Sequence, residues 1–182
     1  SLQLAKTTLM AMVTQPGAAF VYLCGVEGVG KSHLLQAVCN LADELGKTSL
    51  YLPLSAVKDY GPDDILENTD AIDNLCLDGL DCLCGDAQWE EALFHLYNRR
   101  SAAGKNTVFA ARATVPELPL QLPDLQTRLS ACLVFQLPLL SDDEKAGLIQ
   151  FRARLIGMAI NDACTQFIIH RAGRKLSDLI KV

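Results

Sequence analysis

Phe20-Val-Tyr-Leu-Cys24 is a short, almost wholly apolar run that ends at Gly25, the pattern of a strand buried on both faces. The period then changes. Leu34, Leu35, Val38, Leu41, Ala42 and Leu45 form one stripe of a helix over residues 31–45, stopped by Gly46. Residues 48–52 read as the next strand. Pro62-Asp-Asp opens a short helix, with proline in the first turn and acids at the positive end of the dipole. Leu75-Cys-Leu77 predicts a third strand that delivers Asp78 at its C-terminal end. Asp86 is placed to cap a helix carrying Trp89, Leu93, Leu96 and Tyr97 on one face and closing near Gly104. Residues 107–111 and 131–137 complete a set of five strands.

Strands separated by helices of this length imply a parallel sheet covered on both faces, an α/β fold. After Pro138 the pattern is helical only. Ser141-Asp-Asp-Glu144 is a capping box, Asn161 is placed to cap a helix running through His170, and a third helix begins at Lys175. The expected organisation is a short N-terminal tail over residues 1–4, an αβα core over 5–140 and a small all-helical subdomain over 141–182, expected to be incomplete. At 182 residues the chain has room for one such core plus an appendage.

Sixteen basic against 21 acidic residues leave a net charge of −5, which argues against a broad basic face for nucleic acid. No apolar run reaches the ~18–20 residues of a membrane span, and the first residues lack the pattern of a signal peptide. A membrane partner is not expected. Seven cysteines, at 24, 39, 76, 82, 84, 132 and 164, are odd in number and include no C-x-x-C pair. They are expected to be small buried hydrophobes in a reducing cytoplasm, with Cys82 and Cys84 on one face of an extended segment. His33, His95 and His170 show no ligand spacing, so no metal held by side chains alone is expected.

The chemistry concentrates at Gly25-Val-Glu-Gly-Val-Gly-Lys-Ser32, a full match to G-x-x-x-x-G-K-[ST] set between a predicted strand and a predicted helix. Gly25, Gly28 and Gly30 let the backbone N–H groups of the loop, those of Val26, Glu27 and Val29 included, turn inward around phosphate oxygens. The helix N-terminus adds partial positive charge. Lys31 can reach the β- and γ-phosphates, and the Ser32 hydroxyl can take a position on Mg²⁺. A carboxylate on the neighbouring strand should support that Mg²⁺, and Asp78 fits. The next residue is Gly79, where many ATPases of this kind carry a second acid that polarises water. Asp81 lies three residues on. Arg112 ends the fourth strand at the ligand edge of the sheet, while Arg128 and Arg174 are two further arginines whose roles the residues alone do not assign.

In this order the pieces resemble the AAA+ ATPases of the replication-initiator group. Residues 25–34, with His33, look like the Walker A region of the DnaA initiators. Residues 78–85, 122–129 and 173–176 look like Walker B, box VII and sensor II. Tyr51-Leu-Pro-Leu54, Gly85-Asp-Ala-Gln-Trp-Glu90, Leu96-Tyr-Asn98 and Leu137-Pro-Leu-Leu-Ser-Asp142 are more similar still to the DnaA-related regulatory inactivators, the Hda family. The resemblance runs from residue 19 to about 180. It implies an AAA+ αβα sandwich with a five-stranded parallel sheet and a helical lid. It also implies a bound nucleoside diphosphate such as ADP, with Mg²⁺ near Ser32 and Asp78, and two partners: the DnaA initiator and the DNA polymerase sliding clamp. Contact with DNA would be indirect, through the clamp. Arg128 would be the arginine finger, acting in trans on the partner's ATP. Arg174 would approach the chain's own nucleotide, and copies of the chain would meet head to tail in a nucleotide-dependent assembly.

Ser1-Leu-Gln-Leu4 resembles the end of the clamp-binding peptide of these regulators, with Gln3 in place of a proline. Gly79 and Arg112 depart from the initiator pattern, and both point to a nucleotide that is held more than hydrolysed. Two other classes stay open on the residues: an autonomous DnaA-like or helicase-loader ATPase acting on DNA, and a small-molecule kinase or GTPase. An Asn-Lys-x-Asp guanine-reading motif does not occur.

Overall fold

A computed structural model describes residues 2–15, 17–139, 141–155 and 157–171. Its elements are α1 (Leu2–Thr14), β1 (Phe20–Cys24), α2 (Lys31–Glu44), β2 (Ser49–Pro53), α3 (Pro62–Leu66), β3 (Asn74–Asp78), α4 (Ala87–Ala102), β4 (Asn106–Ala111), α5 (Pro123–Ser130), β5 (Leu133–Gln136), α6 (Asp142–Leu155) and α7 (Asp162–Arg171). The contacts divide the chain into two units, one of residues 1–25 and 31–137 and the other of residues 26–30 and 138–182.

The first unit is a five-stranded sheet in the order β2-β3-β4-β1-β5, parallel at every pairing. Strand alternation sends Tyr22, Cys24, Leu75, Leu77, Phe109 and Ala111 into a core shared with Trp89, Leu93 and Leu96 of α4 and Leu125 and Leu129 of α5. The intervening Val21, Leu23, Cys76, Val108 and Ala110 are buried on the opposite face, where α2 packs on the sheet and α1 packs on α2. β5 departs from the expectation of full cover. Leu133 and Val134 are exposed, on a four-residue strand at the edge of the sheet.

Two further expectations change. Residues 2–4 are the first turn of α1 rather than a tail: Ala5, Leu9, Met12 and Val13 recur at helical spacing, and burying that stripe draws the preceding residues into the helix. Cys82 and Cys84 lie in and after a 3-10 turn at Leu80–Cys82, not in an extended segment. Four of the cysteines are buried, but Cys82 and Cys164 are exposed and Cys84 is half-buried, and all seven are free thiols.

Asp73 ties together the edge of the sheet opposite the phosphate motif. Its carboxylate accepts from the Thr48 N–H at 3.0 Å, the Thr48 hydroxyl at 2.9 Å and the Lys105 ammonium at 2.6 Å, joining the entries to β2, β3 and β4. Lys105 and these donors hold its pKa down at about 2. A depressed carboxylate stabilises the fold fully above its unfolded pKa of about 3.9 and stops doing so as pH falls through the folded value. Asp73→Asn is therefore expected to lower stability by on the order of 1 kcal/mol at pH 7, given solvent screening at this exposed site. The gap to the parent in urea midpoints should close between about pH 4 and pH 2.

The second unit holds the helical segment. Ser141 and Glu144 cap α6 reciprocally, with Ser141 N–H to Glu144 Oε2 at 2.8 Å and Glu144 N–H to Ser141 Oγ at 3.2 Å. Asn161 caps α7 through the Cys164 N–H at 2.8 Å. Ile149, Ala153, Thr165 and Ile169 are buried where α6 meets α7. Among the described residues no helix is long and apolar enough to cross a membrane.

Candidate functional site

Gly25 follows β1 with φ 152°, and Gly28 and Gly30 have φ of 85° and 98°, a region costly for any residue with a Cβ. Such backbone lets successive N–H groups face one point. In the first unit the motif continues with Lys31 and Ser32, which open α2, followed by His33 in its first turn. Lys31 is buried, its ammonium donating to the Gly25 carbonyl at 2.6 Å. Burial lowers its pKa, while Asp78 and then Asp81 oppose that shift. The lysine is thus folded back to the end of β1, with negative charge near it.

Ser32 Oγ donates to Asp78 Oδ2 at 2.5 Å. The serine and the strand-end carboxylate thus meet directly, but not through the strand adjacency expected for Asp78. β4 lies between β1 and β3, so Asp78 stands two strands from the one that delivers the loop. Strand order cannot be read from sequence order when crossover helices skip positions. The contact is made instead from α2, on the face of β3 to which Cys76 and Asp78 both point. A hydroxyl and a carboxylate brought together in this way are hard oxygen donors, the type that Mg²⁺ takes beside a phosphate.

Gly79 follows with φ 84°, and a Cβ built there meets nothing within 4 Å. The space would admit a side chain but the backbone disfavours one, so the position of a second acid is closed by conformation as well as by composition. Asp81 does not substitute for it. Its Oδ1 accepts the Arg112 N–H at 2.7 Å and its Oδ2 lies 3.6 Å from Arg112 Nε, so it is engaged by the residue that ends β4.

Arg128 sits in the last turn of α5 and is exposed. Its guanidinium lies 5.9 Å from the Phe94 ring centroid and 5.8 Å from that of Tyr97, both on α4. The other end of α5 is held by Glu90, a buried carboxylate that sequence reading did not single out. Its Oε2 accepts from the Gln121 and Leu122 N–H groups at 2.8 and 2.7 Å, and its Oε1 from Gly85 at 2.7 Å. Glu90, Phe94 and Tyr97 recur at i, i+4 and i+7, a helix face that could have been read as the bed of α5. Arg174 lies outside the described residues, as do Ser1 of the expected clamp-binding peptide and the helix expected from Lys175. Leu2, Gln3 and Leu4 open α1.

A second residue without an expected role is Tyr51. Its hydroxyl donates to the same Asp78 Oδ2 at 2.7 Å. Burial and the hydrogen bond to Asp78 raise its pKa to about 12, so it remains a donor throughout the neutral range.

The bacterial DnaA ATPase-domain family matches residues 1–138 of the chain. Among solved structures, domain III of DnaA from Thermotoga maritima superposes with a TM-score of 0.80 at 21% identity, over 98% of this chain and 80% of that one. AMPPCP-bound DnaA from Aquifex aeolicus gives a TM-score of 0.76 at 17% identity, over 97% of this chain and 57% of that one. The RuvB Holliday-junction branch-migration motor of Thermotoga maritima gives 0.72 at 17% identity, over 99% and 58%. The chain therefore spans a little over half the length of these longer structures, and the likeness establishes the AAA+ fold.

Proposed function

The chain belongs to the bacterial DnaA ATPase-domain family, and from that membership we propose that it is a regulator that keeps its nucleotide and supplies an arginine to another ATPase. In this reading residues 25–33 take the phosphates of a nucleoside diphosphate such as ADP, with Lys31 against the phosphate charge. Ser32 and Asp78 hold the accompanying Mg²⁺, whose charge neutralises phosphate oxygens, and Arg174 approaches the same nucleotide. Arg128 reaches the ATP of a DnaA initiator and stabilises the charge that develops during its hydrolysis. Resemblance to the Hda family motivates the partners: DnaA itself and a sliding clamp on DNA, contacted through residues 1–4. With Leu2–Leu4 helical, the clamp contact requires one terminal turn to open, a low-cost event at a helix end. The activity prevents repeated initiation of replication in the cytoplasm.

One observation carries the proposal: a complete phosphate loop is paired with a left-handed glycine where the water-polarising acid would stand, and the nearby Asp81 is engaged by Arg112. Binding groups are retained where the acid for turnover is missing. The purified chain is expected to hydrolyse ATP negligibly alone, yet to accelerate phosphate release from ATP-loaded DnaA when clamp and DNA are present. Steady turnover by the isolated chain, or salt-sensitive binding of DNA, would favour the autonomous DnaA-like or helicase-loader ATPase instead.

A further inference from the structure

Tyr51 belongs to no phosphate-binding motif, yet it reaches the acid at the end of β3. The register explains how. Tyr51 pairs with Cys76, and Asp78 lies two residues further along β3 on the same face, within diagonal reach of an aromatic side chain. The hydroxyls of Tyr51 and Ser32 both donate to Asp78 Oδ2, at 2.7 and 2.5 Å. From the other neighbouring strand, the residue in register with Asp78 is Ala110, whose side chain offers no donor. Asp78 is therefore oriented by one donor from the phosphate loop's own helix and one from β2.

We propose that Tyr51 is a positioning residue for the divalent cation that accompanies the nucleotide, acting by holding Asp78 Oδ2 in place. The inference rests on the nucleotide-binding reading of residues 25–33. Once the Ser32 oxygen turns to a cation, its hold on Asp78 changes, whereas the Tyr51 phenol, on a rigid ring rooted in β2, keeps its bond to Asp78 Oδ2. A carboxylate already oriented meets the cation's shell without the entropy cost of being fixed at that moment.

The test is calorimetric binding of ADP to the nucleotide-stripped chain in Mg²⁺ and again in EDTA. The parent should bind ADP more tightly with Mg²⁺. Tyr51→Phe, which keeps the ring and removes one hydroxyl, should lose about tenfold of that Mg²⁺-dependent tightening, the scale of one hydrogen bond to a charged group, and leave the EDTA affinity unchanged. In an Asp78→Asn background the same change should cost nothing more. Equal weakening in Mg²⁺ and EDTA would make Tyr51 a structural residue and overturn the proposal. So would an additive loss in the double variant, or a parent indifferent to Mg²⁺. If the parent binds no ADP under either condition, the nucleotide reading itself fails, a result distinct from all of these. A measurement on the unaltered chain guards against a variant that does not fold: the Tyr51 ring Cζ resonance should move when Mg²⁺ is added to the ADP complex, and a fixed resonance counts against the proposal.

Discussion

Arg128→Ala is expected to abolish acceleration of DnaA-dependent ATP hydrolysis, a loss of about 10³-fold or more, while the variant melts and binds nucleotide like its parent. Arginines delivered in trans to a reacting phosphoryl group contribute on this scale because they meet charge that exists only in the transition state. The structure makes the experiment clean. Arg128 is exposed in the last turn of α5, and its guanidinium lies over the faces of Phe94 and Tyr97, at 5.9 and 5.8 Å from the ring centroids. Exposed cation–π contacts are worth about 0.5–1 kcal/mol, too little to unfold a domain. The helix itself stays anchored by Glu90 at its other end. Arg128→Lys should recover little, since a single ammonium cannot reproduce the planar fork that meets two phosphate oxygens. The measurement is phosphate release from ATP-loaded DnaA with clamp and DNA, compared at matched nucleotide occupancy. Normal stimulation by Arg128→Ala would remove this residue from the reaction.

How much of this was legible before any coordinates depends on how local each signal is. The phosphate-loop pattern, the strand before it and the caps at Asp86, Ser141 and Asn161 are written within a few neighbouring residues, and the hydrogen bonds of the three caps form as expected. Five strands and their parallel arrangement follow from period and connection length. The insertion of β4 between β1 and β3 does not, because nothing local records which position a crossover skips. Nor does α1 as far forward as Leu2, where a weak apolar stripe competes with a tail-like resemblance. Tyr51 and Glu90 were hidden for a related reason: each acts on a residue far away in sequence, and a lone tyrosine in a strand or glutamate in a helix carries no mark of its partner. Register, once known, makes the Tyr51 contact a simple diagonal pair.

The same distinction between local pattern and distant partner identifies the largest stability effect. Arg100, in α4, is completely buried, and its guanidinium is surrounded by neutral acceptors rather than a carboxylate. Nε donates to Thr107 Oγ at 2.8 Å, and one terminal nitrogen to the carbonyls of Thr69 at 2.6 Å and Ile72 at 3.1 Å. The other terminal nitrogen donates to the Asn106 carbonyl. One side chain thus closes α4, the segment entering β3 and the start of β4 around a common centre. Burial lowers its pKa to about 10, with Asp70 opposing the shift, so it remains a cation at neutral pH. Arg100→Ala would leave three carbonyls and a hydroxyl without this donor at a site closed to solvent, at about 1–3 kcal/mol for each that finds no other partner, and would add a cavity. A loss of at least about 4 kcal/mol is expected, a large part of the 5–15 kcal/mol that holds a domain of this size together. Urea unfolding followed by Trp89, buried in the same helix, should show the midpoint collapse. Arg100→Met separates the causes: it restores most of the volume but none of the donors, so a midpoint near that of the alanine variant would assign the loss to unpaired carbonyls. Full recovery by methionine would assign it to packing alone.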